Sequence, residues 1–236
     1  MQADHREKNK DQKRQQSDIV VHESLPVGVA LAMAGGFLDA YTYLFHGEVF
    51  ASMQSGNVIL LGINLASGEF LQAARYLPPI LLFLIGIIVT NGLQHHFPTG
   101  GRIVWQNVAL FFEAVGIFLL GIFAQTLPNV FVDSGLSFFA AIQYASYRRL
   151  AGMPYATTMT TGNLRSMADY LYQRFFKKDT TVDYKIKYIA MIIGGFFFGA
   201  VSSSLLGMFL FHRTIWVVSG ILLFVLTITI KNQNRL

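Results

Sequence analysis

Met53-Gln54-Ser55-Gly56-Asn57 returns 106 residues further on as Met159-Thr160-Thr161-Gly162-Asn163. Each copy interrupts an apolar run with a hydroxyl, a glycine and an amide, and the reading of these two interruptions decides the fold. Long apolar stretches surround them. Pro26–Phe45 comes first, and Phe50–Ala66 holds the first interruption. Leu77–Gln94 opens on Pro78-Pro79, Val104–Gln125 follows, and Asp133–Tyr147 ends at Arg148-Arg149. Met153–Phe176 holds the second interruption along with Thr157, Thr158, Arg165 and Asp169, and Tyr188–Phe211 and Thr214–Ile230 close the series. A membrane crossing takes about 20 apolar residues. The two interrupted segments are the ones whose crossing is in doubt.

The composition agrees with a chain that faces lipid. Of its residues 53% are hydrophobic and 13% charged, where a soluble domain carries about 25% charged residues. The net charge of +5 does not point to nucleic acid, because the basic residues cluster between the apolar runs, where a membrane protein keeps them. The chain has no cysteine, which excludes disulfides, thiolate catalysis and thiolate metal sites. Residues 1–24 are polar and dense in Arg and Lys, and read as a disordered cytoplasmic tail. The apolar runs that follow are too many and too long for a cleaved signal.

Further matches accompany the paired motif. Leu84-Ile85-Gly86 answers to Ile192-Ile193-Gly194, and Arg102-x-x-Trp105 to Arg213-x-x-Trp216. Such correspondences, recurring in one order, mark an internal duplication: residues 25–125 form one membrane repeat and 126–236 the other. The expected fold is therefore an all-α, polytopic integral membrane helix bundle with six full crossings and two broken, re-entrant segments. With both termini cytoplasmic, six crossings leave only Arg75 and Arg213 outside among the basic residues of the connections. The alternative, eight crossings and parallel repeats, moves the Arg148-Arg149 pair outside. Three crossings per copy would invert one repeat relative to the other, a plan that recurs in secondary transporters with the ligand near the midplane.

The breaks have a chemistry of their own. Ser55 and Thr161 are good N-cap types, from which a helix starts after an extended entry. Free N–H groups and the helix dipole at such an end favour an anion or polar ligand, and Asn57 and Asn163 add donors and acceptors. Gly56 and Gly162 are expected to face the protein interior, since irregular backbone at membrane depth is tolerated only there or along a water-filled cavity. The plainer reading, in which these residues only kink or pack helices, stays open.

Ionisable residues also lie among the apolar ones: Asp39 in Gly35-Gly36-Phe37-Leu38-Asp39-Ala40, Glu113 mid-segment, and Arg165 with Asp169 four residues on, close enough to pair. Such groups face the bundle interior and often carry function, as proton-coupling carboxylates or as counter-charge for a ligand. A structural role as partners of Arg165 or of backbone N–H groups fits them as well. His46 and Glu48, in the connection after the first run, read as solvated, and the adjacent His95-His96 do not make a metal site. No P-loop, H-E-x-x-H, G-x-S-x-G or G-x-G-x-x-G occurs. No catalytic residue, metal or cofactor is expected.

The motifs around Gly35–Ala40, Met53–Asn57 and Thr157–Asn163 resemble the YoaK (DUF1275) family of bacterial inner-membrane proteins. Gln143-Tyr144-Ala145 before Arg148-Arg149 resembles that family's Gln-Asn-Ala stretch, with Tyr144 in place of a common Asn and Ser55 in place of a usual Thr. The resemblance spans about residues 26–230 and implies a multi-pass membrane protein without supplying a substrate. The leading expectation is a transporter or channel for an unidentified small solute or ion. Its pathway is expected at Asp39, Ser55, Gly56, Asn57, Glu113, Gln143, Thr161, Gly162, Asn163 and Arg165. A non-transporting assembly partner or sensor is the second reading, and an intramembrane lipid-modifying enzyme a remote third. The partners are the lipid bilayer, the solute and, for so thin a bundle, a second copy of the chain as a homodimer.

Overall fold

The computed structural model describes residues 21–96 and 104–233; the tail expected over residues 1–24 lies outside these, save for its last residues, and so does Arg102. A short 3-10 turn, Val21–Glu23, leads into α1, Leu25–Phe45, which takes Pro26 in its first turn, where the missing N–H costs no bond. Next come α2, Gln54–Ala66, the short α3, Phe70–Ala74, α4, Leu77–His96, and α5, Trp105–Phe123. The second half opens with α6, Asn129–Ser146, and a hairpin of β1, Arg149–Leu150, against β2, Met153–Pro154. α7, Thr160–Phe175, then precedes α8, Asp183–Leu210, and α9, Trp216–Gln233. Trp105 and Trp216 are each the first residue of their helix. Among the described residues four stretches are long and apolar enough to cross a membrane: α1, α3 with α4, α5, and the run that joins α8 to α9. α6 is not among them; Asp133, Ser134, Ser137 and Gln143 thin its apolar run, and all four are buried.

Small residues draw α1 and α8 together. Gly195, Gly199, Ser203 and Gly207 recur every fourth residue of α8 and are all buried. A Cβ on Gly199 would collide with the carbonyl of Met33, and one on Gly36 with that of Phe196. Backbones this close gain van der Waals contact that bulkier side chains would forbid. Gly28 lies by Ile192, Met33 by Gly199 and Phe45 by Gly207, so the two helices run parallel. α4 packs on α6 in the same manner, Gly86 meeting the Phe138 carbonyl. In the second half Gly195 and Gly199 share this environment, against the Val29 and Met33 carbonyls; Gly194, which the sequence aligned with Gly86, has open space at its Cβ.

The remaining contacts fix which helix ends lie together. Trp216 stacks on Phe118 and its Nε1–H donates to the Phe118 carbonyl, so α9 starts where α5 ends and the two are antiparallel. Gln143, near the end of α6, donates to the Leu31 carbonyl near the start of α1. The hairpin joins the same end: Ala151 N–H donates to the Glu23 carbonyl and Gly152 N–H to its carboxylate. At the opposite end, His46 meets His212 and Arg75 donates to the Gly47 carbonyl. The core between α1, α5, α6 and α9 is built on Leu31, Phe37, Leu110, Ile117, Leu136, Val218 and Leu222, all at or near zero exposure.

Candidate functional site

After α1 the chain reverses through Gly47 and Glu48, both at positive φ, and runs back along α1. Ala51 N–H reaches Thr42 Oγ1 at 3.1 Å. One turn deeper, Ser52 gives its N–H to Asp39 Oδ1 at 2.7 Å and its hydroxyl to Oδ2 at 2.6 Å. Met53 N–H adds a longer bond of 3.4 Å to Oδ1. The Asp39 carboxylate thus lies ahead of the N-terminus of α2 and satisfies the entering strand. Asn57 then clamps that strand: its Oδ1 accepts Phe50 N–H at 2.9 Å and its Nδ2 donates to the Phe50 carbonyl at 2.7 Å.

The second break repeats the clamp. Asn163 Oδ1 accepts Ala156 N–H at 3.2 Å and Nδ2 donates to the Ala156 carbonyl at 2.8 Å, again seven residues upstream. The entry differs, because here the chain first makes the tight hairpin, with Ala151 and Gly152 both at positive φ in its two-residue turn.

The tips of the two breaks meet. Ser52 Oγ lies 3.5 Å from the Thr158 carbonyl oxygen. Thr157 and Thr158 press on Gly35, midway along α1, where a Cβ would lie 2.9 Å from Thr158 Cγ2. The meeting point is therefore at half the depth of the bundle. Among the described residues, the hydroxyls of Thr157, Thr158 and Thr160 are buried there without a partner.

Several expectations are corrected by this geometry. Ser55 and Thr161 are not caps: the helices begin one residue earlier, Met53 and Met159 occupy the cap positions, and neither makes a side-chain cap bond. Ser55, Thr161 and Gly162 are exposed and Gly56 only half-buried against Phe50, because the clamp turns Asn57 and Asn163 inward and these neighbours outward. Arg165 and Asp169 are exposed and do not pair. His46 is fully buried, its Nε2 3.1 Å from the Tyr41 hydroxyl, because the reversal folds it under the start of α6 rather than into water. Glu113 and Gln143 are buried as expected. Among the described residues both Glu113 oxygens lack a partner, and so does Gln143 Oε1. Ser52, Thr157 and Thr158 were missed as site residues. The 106-residue spacing of the motif was the available signal, since it pairs Ser52 with Thr158. Asp133, at the edge of the apolar run Asp133–Tyr147, is buried too, and its Oδ1 has no partner among the described residues.

A bundle of long apolar helices, several of them long enough to cross a membrane, defines the class as a polytopic α-helical membrane protein. The sequence profile of the family described as "Protein of unknown function (DUF1275)" matches residues 27–228, and the chain belongs to that family. It is similar to the UPF0700 transmembrane protein YoaK of Bacillus subtilis (strain 168), with 26% identity over 197 residues, 79% of this chain and 85% of that protein. No solved structure matches.

Proposed function

We propose that this protein is a transporter or channel for a small polar solute or ion, with its site where the two breaks meet at Ser52 and Thr158. The observation that carries this reading is the set of buried hydroxyls of Thr157, Thr158 and Thr160, without a partner among the described residues, at mid-depth around the N-terminus of α7. Buried polar groups are otherwise paired, and a hydroxyl in an apolar interior without a partner costs about 1–3 kcal/mol. Retaining three together suits a site that a solute or its water completes. The exposed face of α7 agrees. Thr161, Arg165 and Asp169 are four residues apart and exposed, and Arg165 lies little more than a turn from the mid-depth tip. A charge meeting hydrocarbon there costs about 2.5–3.5 kcal/mol on insertion scales, so this face lines a water-filled vestibule.

The topology of the proposal is six crossings, α1, α4, α5, α6, α8 and α9, with α2 and α7 re-entrant from opposite sides in two inverted repeats. The antiparallel pairing of α5 with α9, and the gathering of Glu23, Gln143 and Gly152 at one end, support it. Eight crossings would put the end of α6 at the opposite face from the start of α1. The end that carries Arg148 and Arg149 is cytoplasmic by the positive-inside rule.

The test is cysteine accessibility, which the absence of native cysteine makes clean. In proteoliposomes, Thr157→Cys and Thr158→Cys should react with a small charged methanethiosulfonate reagent, while Ala140→Cys, packed in the core, should not. Thr158→Cys as inert as Ala140→Cys in a folded protein would sink the pathway.

A further inference from the structure

At the end of the bundle where α1 begins, a cavity of about 190 Å³ opens between the starts of α1 and α5 and the end of α6. Glu23, Trp105, Gln106, Tyr147, Arg148 and Arg149 line it. The Arg pair is held over the opening by structure. Tyr147 is anchored through its hydroxyl to the Gln106 carbonyl. Beyond the pair, the hairpin is tied back to Glu23 through Ala151 and Gly152. Among the described residues neither guanidinium has a hydrogen bond or an ion pair, although Glu23 lines the same cavity. Glu23 is engaged instead through Oε2 by Gly152 N–H at 3.1 Å. His22 adds little charge here, because burial pulls its pKa down against the raising effect of Glu23.

We propose that this cavity binds a headgroup that carries a phosphate and a primary amine, the phosphate on Arg148 and Arg149 and the ammonium between Glu23 and the Trp105 ring. Paired guanidiniums present a planar fork of donors that fits phosphate oxygens. A carboxylate and an indole face are the two groups that receive an ammonium. The cavity is smaller than the roughly 300 Å³ at which drug-sized pockets begin, and so suits a headgroup. Basic pockets between helices on the cytoplasmic side are known places for lipid phosphates. The same chemistry is offered by an aminoethyl phospholipid at the bilayer surface and by free phosphoethanolamine.

Native mass spectrometry of the full chain in detergent tests this, with phosphatidylethanolamine, phosphatidylglycerol, phosphatidylcholine and soluble phosphoethanolamine as probes. The expected order places phosphatidylethanolamine first. Arg148→Gln with Arg149→Gln should weaken it about tenfold or more. Lys177→Gln with Lys178→Gln, exposed basic residues that do not line the cavity, should leave it unchanged. Glu23→Gln, which keeps an acceptor for Gly152, should abolish the preference for the amine while retaining phosphatidylglycerol binding. Soluble phosphoethanolamine competing at similar affinity would identify a free metabolite as the source, and its failure to compete a lipid. Equal losses in the two double variants would mean diffuse surface charge and overturn the proposal, as would binding insensitive to the arginines. None of these readouts depends on transport.

Discussion

The two breaks share a clamp and differ in what lies in front of it. In the first, Asn57 holds Phe50 and the Asp39 carboxylate takes the N–H and hydroxyl of Ser52 and the N–H of Met53. In the second, Asn163 holds Ala156 alike, but among the described residues no carboxylate bonds the entering chain, and Thr157, Thr158 and Thr160 keep unpartnered hydroxyls. One break is closed by its own chain and the other is left to be completed. The matched amides are therefore scaffold. The difference between Asp39 and the threonines is where function is to be sought.

The largest effect should follow from removing the group that closes the first break. Asp39→Ala strands three donors, two of them from fully buried Ser52. At about 1–3 kcal/mol for each buried group left unsatisfied, the loss should reach about 3 kcal/mol or more in reversible unfolding from mixed micelles. A loss below about 1 kcal/mol would mean that the first break is no better closed than the second. Next come the amides. Asn57→Ala and Asn163→Ala each remove a donor and an acceptor from one backbone residue, and each should cost about 2 kcal/mol. Near-equal losses by the same assay would confirm the shared clamp; a difference above about 2 kcal/mol would break the comparison.

How much of this was legible in the sequence follows from the same residues. The apolar runs, the paired motif and the burial of Asp39 and Glu113 could be read directly, since length and polarity alone demand them. Where the helices start could not. Ser55 and Thr161 are the better cap types, yet the extended entry ends at Met53 and Met159, because Asn57 and Asn163 bind backbone seven residues upstream and so set the register. A propensity for one position gave way to a pair of hydrogen bonds. The meeting of Ser52 with Thr158 depends on how the halves pack, and the pairing of Gly36 with Phe196 and Gly199 with Met33 is visible only in three dimensions. His46 was misjudged for the same reason: a short connection is normally wet, but this one folds back under its neighbours.

A finer contrast lies between the hydroxyls of the two residues that meet at the tips, Ser52 and Thr158. Ser52→Ala removes a charge-assisted bond of 2.6 Å to Asp39 and should cost about 1.5–3 kcal/mol. Thr158→Val keeps the shape and removes a hydroxyl that has no partner, so its thermal stability should match the parent or exceed it slightly. Thermal scans in one detergent compare them directly. A destabilised Thr158→Val would show that its hydroxyl is satisfied within the fold, and the second break would then be closed as well.

The smallest effect should come from Glu113, another of the deep carboxyls. Glu113 is as buried as Ser52, but among the described residues both its oxygens lack a partner, where both Asp39 oxygens accept hydrogen bonds. Replacing either acid by its amide keeps the volume and removes only what a carboxyl can do. Asp39→Asn turns one accepting oxygen into a donor and faces it with the Ser52 hydroxyl or N–H, so it should cost about 1–2 kcal/mol. Glu113→Gln disturbs no bond and should leave unfolding within about 0.5 kcal/mol of the parent. An acid that costs nothing to neutralise and is nonetheless kept at the centre of an apolar helix has no structural reason to be there. If Glu113→Gln instead costs as much as Asp39→Asn, then Glu113 is bonded within the fold, and the two acids are alike after all.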